Sequence, residues 1–238
     1  MTTGWTTFDS QRDGPKRSVP IETRPGLPTS VASALTQRLS VVPWRTIAHA
    51  YGPAEDVPAL LLAVHLGTDV VRVLAWWELW GNLHHQGTVY EATVPSVPFI
   101  AALAADEAHP DRVEALSFLR EIALGNGTHS GAVREAVRPE AHALVEGWED
   151  EPEVLRRALL WLGSAFPELV AEHPRLAAQL PENLLPAWNE LLAERQLQET
   201  GDDDALESMY NDDDLMDRRY DLERWALVGW PKGASADR

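Results

Sequence analysis

The run Thr68-Asp69-Val70-Val71-Arg72-Val73-Leu74-Ala75-Trp76-Trp77-Glu78-Leu79-Trp80-Gly81 repeats its apolar side chains at helical spacing. Val70, Val73, Leu74, Trp77 and Trp80 fall on one stripe, with Arg72 and Glu78 elsewhere, so the spacing predicts an amphipathic helix whose stripe is wide enough to face two neighbours. Thr68 or Asp69 can cap its first turn. Upstream, Ala54 to Val64 opens on Glu55 and Asp56, acidic residues that favour the positive end of a helix. Val57, Leu60, Leu61 and Val64 then lie on one side of a segment that ends near Gly67.

The same spacing extends in both directions. Thr29 begins a helix carrying Val31, Leu35 and Leu39, and a second short helix is expected from Val42 to His49, stopped by Tyr51-Gly52-Pro53. Downstream, Thr88-Val89-Tyr90-Glu91 has the form of a capping box, which predicts a helix start there. Pro95 and Pro98 predict that this helix, running to about Ala105, is kinked or broken. Pro110 precedes Val113, Leu116, Leu119 and Ile122, which stop at Gly125-Asn126-Gly127. Val133 to Glu146 follows, interrupted or offset by Pro139. Asp150 can cap a helix carrying Val154, Leu155, Ala158, Leu159 and Leu162. Short apolar helices separated by Pro174, Pro181 and Pro186 continue to Gln198.

The ends differ in composition. Residues 1–28 mix Thr, Gly, Pro and isolated charges, and Pro15, Pro20, Pro25 and Pro28 prevent a long helix, so they read as a flexible arm in which Trp5 and Phe8 are aromatics able to dock. Residues 29–198 are the helical body. Residues 199–238 form an acidic tail with Asp202-Asp203-Asp204 and Asp212-Asp213-Asp214. Within it Leu222, Trp225 and Ala226 fit one face of a terminal helix that could dock.

With 238 residues, 45% of them hydrophobic, the chain can bury a sizeable core. No apolar run reaches the length of a membrane span, and the first 28 residues lack the apolar stretch of a secretory signal, so a soluble, cytoplasmic protein is expected. The absence of cysteine excludes disulfides, thiolate metal sites and cysteine nucleophiles. A formal net charge of −17 repels a phosphate backbone, which argues against direct nucleic-acid binding and suits a basic protein partner.

Helices of this length joined by tight turns, without strand alternation, are what stacked helical pairs require. Beyond that pattern, His49-Ala50-Tyr51-Gly52, Ala54-Glu55-Asp56-Val57-Pro58, His85-Gln86-Gly87-Thr88-Val89-Tyr90-Glu91-Ala92-Thr93 and Val97-Pro98-Phe99 resemble a family of bacterial HEAT-repeat proteins. The likeness is good from Val42 to about Ala123 and weaker to Gln198. It implies an all-α, armadillo-like fold: a short HEAT-like α-solenoid of antiparallel helical pairs, flanked by the arm and the tail. HEAT solenoids in general bind proteins, so the resemblance also implies a binding role.

The densest polar and aromatic cluster is Trp76-Trp77-Glu78-Leu79-Trp80, His84-His85-Gln86 and Tyr90-Glu91. Trp77, Trp80, His84, His85, Gln86, Tyr90 and Glu91 are the candidate partner-binding residues, since aromatic anchors bury large area at modest entropic cost. The competing reading puts the tryptophans in the core and uses the histidines and Gln86 as turn caps. No metal or other cofactor is expected, because adjacent His84 and His85 point about 100° apart on a helix. No nucleophile elbow, phosphate loop or HExxH motif is present. Asp213-Asp214-Leu215-Met216-Asp217 resembles the aspartate-rich motif of terpene synthases, but its place in a charged tail favours a solvated acidic run. The expected function is a non-catalytic adaptor or scaffold that binds a protein, with a basic partner favoured by charge. An enzyme or small-molecule binder using a pocket at His84–Tyr90, and an immunity or inhibitor protein, are the alternatives.

Overall fold

The computed structural model describes residues 22–24, 29–201 and 213–227, over which the chain is mostly helical. Trp5, Phe8 and Asp202-Asp203-Asp204 lie outside the described residues. Helix α1 (Thr29–Ser40) buries Leu35 and Leu39 against α2 (Val57–Leu66), leaving Val31 exposed.

The helix expected over Val42 to His49 does not form. Pro43 offers no amide hydrogen to a helical ladder, and the buried Trp44 turns back to donate its indole N–H to the carbonyl of Leu39 at 2.8 Å. The chain then makes a minimal antiparallel hairpin, β1 (Ala48–His49) with β2 (Gly52–Pro53).

Helix α3 (Asp69–Leu83) reverses the expected stripe. Its buried side chains are Arg72, Ala75, Trp76, Glu78, Leu79, Asn82 and Leu83, whereas Val70, Val73, Leu74 and Trp77 are 70%, 52%, 44% and 49% exposed. Arg72 goes inward because it is fully engaged there. Its guanidinium donates to Asp111 at 2.7 Å and to the Gly67 carbonyl at 3.1 Å, and it pairs with Asp69 at 3.0 Å. A buried charge with such partners is tolerated where an unpaired one is not. Trp76 joins it by donating to the same Asp111 carboxylate at 3.1 Å.

A second hairpin, β3 (His84–His85) with β4 (Thr88–Val89), occupies the predicted capping box, so α4 (Thr93–Ala105) starts later than expected. Thr88 bonds Asn126 instead of capping a helix, and Thr93 takes the local role by accepting from the Tyr90 amide and donating to the Leu83 carbonyl. Helix α4 runs unbroken. Pro95 is its third residue, where no intrahelical donor is needed, and Pro98 lies on the exposed side. Likewise α6 (Ser130–Val145) continues through Pro139. Between them lies α5 (Arg112–Leu124). Pro152, not Asp150, precedes α7 (Glu153–Gly163), because Trp148–Asp150 forms a 3₁₀ turn.

Helices α2 and α3, α4 and α5, and α6 and α7 pack as consecutive neighbours. Contacts also run between α2 and α4, α4 and α6, and α5 and α7. Rings join α3 to α5, with Trp76 and Trp80 centred 5.8 and 4.7 Å from Phe118. The core between these helices holds Leu61, Leu79, Leu83, Ile100, Leu103, Phe118 and Ile122. Short helices α8 (Pro167–Glu172) and α9 (Pro174–Ala177) lead to α10 (Leu185–Thr200). The acidic region contributes α11 (Asp213–Ala226), which packs on α7 and α10 with Leu222 and Ala226 buried. Arg218 holds it to Glu190 through two bonds of 2.9 and 3.0 Å. Among the described residues no helix is long and apolar enough to cross a membrane.

The two ends of the helices carry different connections. At one end, where α2 turns into α3, Glu22–Arg24 pair antiparallel with the chain around Gly67. Thr68 donates to Glu22, Arg24 donates to Leu66, and the Arg24 guanidinium reaches the His65 carbonyl. At the other end lie the two hairpins.

Candidate functional site

The hairpin end is assembled mainly by main-chain bonds. The Ala50 amide donates to Asn82 at the end of α3, and the Ala92 amide donates to Ala48. Val89 donates to Asn126, and Asn126 donates to Gly87, which adds the α5–α6 turn as a parallel bridge to Thr88. The second hairpin reverses at Gln86 and Gly87, with φ of 50° and 80°. This left-handed pair is the backbone form that two-residue hairpins need, and glycine supplies half of it without steric cost.

Side chains then converge on this frame. Asp56, just before α2, accepts from Asn82 at 3.0 Å and lies 3.0 Å from Nε2 of His49. Nδ1 of His49 accepts the Tyr51 amide at 3.0 Å, so Nε2 carries the hydrogen and donates to Asp56. Both nitrogens of this buried ring are thus engaged within the chain. Tyr51 stands 48% exposed beyond the hairpin, and its hydroxyl meets Nδ1 of His85 at 3.0 Å with the rings edge to face. Burial, with the Tyr51 phenol nearby, raises the Tyr90 hydroxyl above its ordinary pKa.

The candidate residues therefore divide. Tyr51, His85 and Tyr90 form one cluster, and Trp80 with His84 forms another, their rings 5.8 Å apart. Trp80 is half-buried, packs edge to face on Phe118 and donates its indole N–H to the buried Glu114. Gln86 is exposed at the hairpin tip and Glu91 is exposed before α4. Trp77 lies one turn before Trp80 on the outer side of α3, continuing the exposed row of Val70, Val73 and Leu74. Tyr51, His49, Asp56 and Asn82 were not among the candidates. Their signal was present in the string His49-Ala50-Tyr51-Gly52 seven residues ahead of Asp56, but a hairpin was needed to join them.

His65 does not join the other histidines. It sits at the opposite end of α2, bonded to the Phe99 carbonyl at 2.9 Å and edge to face with His109, which bonds the Val64 carbonyl at 3.0 Å. Burial, aided by the neighbouring His109, lowers the His65 pKa to about 4. Burial lowers His109 as well, against the pull of Asp111. Among the described residues no group of three His, Asp or Glu side chains could hold a metal ion. Comparison with protein-family profiles, with curated proteins and with solved structures finds no significant match to this chain.

Proposed function

We propose that this chain is a HEAT-like α-solenoid that serves as a non-catalytic binding protein, engaging a protein partner through the outer face of α3 and the hairpin end. The observation that carries the reading is the exposed row Val70, Val73, Leu74 and Trp77 on a helix whose opposite face is already packed. An apolar row of this kind, with Trp77 as an aromatic anchor, fits the core of an interface, and the polar and aromatic side chains of the hairpin end, Tyr51, His85 and Glu91, lie beyond the C-terminal end of the same helix. Two further observations support the solenoid arrangement. Helices two apart in sequence pack on each other, and a cation-to-carboxylate link recurs along the stack, from Arg72 in α3 to Asp111 before α5, then from Arg112 in α5 to Glu151 before α7. The acidic net charge favours a basic partner.

Affinity capture from the native cell followed by mass spectrometry tests the reading, using the wild-type chain, Trp77→Ala and His85→Ala in parallel. One protein should be enriched by the wild type and lost from Trp77→Ala, with His85→Ala weakened about three- to tenfold. If both folded variants retain the partner unchanged, the surface is misassigned; recovery of a small molecule and no protein would defeat the adaptor reading itself.

A further inference from the structure

We infer that α11 is the built-in occupant of a helix-binding groove, and that a basic amphipathic helix of a protein partner takes its place there. The groove is formed by α7, α10 and the 3₁₀ turn at Glu182–Leu184, all of which α11 touches. Helix α10 is closed before α11 begins. Gly201, at φ 71°, donates its amide to the Leu197 carbonyl at 2.9 Å, a left-handed terminus that is complete without α11. Among the described residues no main-chain bond joins α11 to another element, in contrast to both hairpins and to the Glu22–Arg24 pairing. Side chains alone seat it.

Those side chains define what the groove reads. Arg218 donates to both carboxylate oxygens of Glu190 at 2.9 and 3.0 Å, and Arg219 donates to Glu194, one turn further along α10. Leu222 and Ala226 are buried, and the centre of the Trp225 ring lies 5.3 Å from the guanidinium carbon of Arg157 on α7. The contact face is therefore two adjacent arginines followed by Leu222, Trp225 and Ala226 at helical spacing, the pattern of an amphipathic helix laid in a groove. In charge, α11 matches this seat poorly. From Asp213 to Leu227 it carries three arginines and five carboxylates, of which Asp217, Asp221 and Glu223 are exposed, in a chain with 20 basic and 37 acidic residues. A helix with the same contact face and no excess of carboxylates keeps both ion pairs and escapes repulsion from the acidic body. Removing α11 without replacement leaves Glu190 and Glu194 as like charges one turn apart, so exchange for another cationic helix is favoured over simple release. This groove is a second surface and does not rest on the reading of the outer face of α3.

The probe is a fluorescein-labelled peptide copying residues 213–227 with Asp217→Asn, Asp221→Asn and Glu223→Gln, titrated into the full-length chain and read by polarisation. It should bind Arg218→Glu/Arg219→Glu, whose own α11 is repelled by Glu190 and Glu194, at least tenfold more tightly than wild type. Bound peptide should also raise the melting temperature of that variant. Adding Glu190→Gln and Glu194→Gln should weaken binding about tenfold, and a peptide lacking both arginines should not bind. Equal affinity for wild type and variant, affinity unmoved by the two glutamine changes, or no binding to the folded variant would each overturn the proposal. Circular dichroism reports folding; should the charge reversal unfold the chain, Leu222→Ala, which loosens α11 and keeps its arginines, should show the same gain in affinity. Wild-type dimers that the peptide dissociates would instead assign the groove to a second copy of the chain. The titration involves no native partner, so its failure leaves Trp77-dependent capture standing, and the converse holds.

Discussion

Arg72 and Asp111 show how a single pair can decide the orientation of a helix. Asp111 accepts from both the Arg72 guanidinium and the Trp76 indole, so Asp111→Ala leaves the indole donor and the guanidinium Nε without an acceptor and the buried charge with only the exposed Asp69 and the Gly67 carbonyl. That variant should lose about 2–3 kcal/mol of stability, read as a lower denaturation midpoint. Trp76 and Trp77 are adjacent in sequence yet opposite in consequence. Trp76→Ala should cost about 3–5 kcal/mol, because its ring is buried against Phe118. Trp77→Ala should cost no more than about 1 kcal/mol, and its effect should appear in partner capture. His65 gives a pH dependence with a definite sign. Its pKa is lowered from 6.5 to about 4 on folding, so between those values the unfolded state binds the proton that the folded state refuses. Its contribution is intact above pH 6.5, declines as pH falls toward 4, and declines no further below, with a total of order 3 kcal/mol. Chemical denaturation of wild type and His65→Gln across this range checks it, the variant showing a shallower decline.

Elements were legible in the sequence where one rule governed them. Leu35 and Leu39 in α1, the acidic start of α2 and the glycine stop after α5 follow from spacing and termination chemistry, and the structure has helices at each place. The misreadings have a common cause in tertiary contacts. The apolar count on α3 favoured the Val70–Trp77 side, since spacing cannot reveal that Asp111 lies ready, almost forty residues on, to receive Arg72. The capping-box form of Thr88 to Glu91 was correct chemistry in the wrong place: Asn126 competes for Thr88, and the Gln86-Gly87 turn pairs the chain into a hairpin. Trp77, Trp80, His84, His85, Gln86 and Tyr90 were legible as residues of one region; their division between core, hairpin and outer face was not. Gly125 ties these elements together. A Cβ there would lie 2.4 Å from Cγ1 of Val89. Gly125→Ala should therefore push β4 off the α5–α6 turn and cost about 1–3 kcal/mol, seen as a lower melting temperature and faster hydrogen exchange at the Val89 amide.

At the scale of the whole molecule, the charge excess governs encounter more than stability. Association with a basic partner should slow severalfold as salt rises from about 0.05 to about 0.5 M, while dissociation changes little, a separation that stopped-flow or surface-based kinetics can resolve. The helical body ends in α11, whose Leu222 and Ala226 close the face of α7 and α10, so an acidic region carries part of the packing. The hairpin end has a different kind of economy. Its spacing is kept by amides and carbonyls of Ala48, Ala50, Val89, Ala92 and Asn126, atoms that every residue type but proline provides. Tyr51 and Glu91 can consequently be exchanged for other side chains while the strip that displays them keeps its shape, whereas Gln86, at φ 50°, tolerates only residues that accept a left-handed backbone. Under the proposed binding role, recognition at this end is thus free to diverge from one descendant to the next, or to be redesigned by substitution, without the helices beneath having to be refitted.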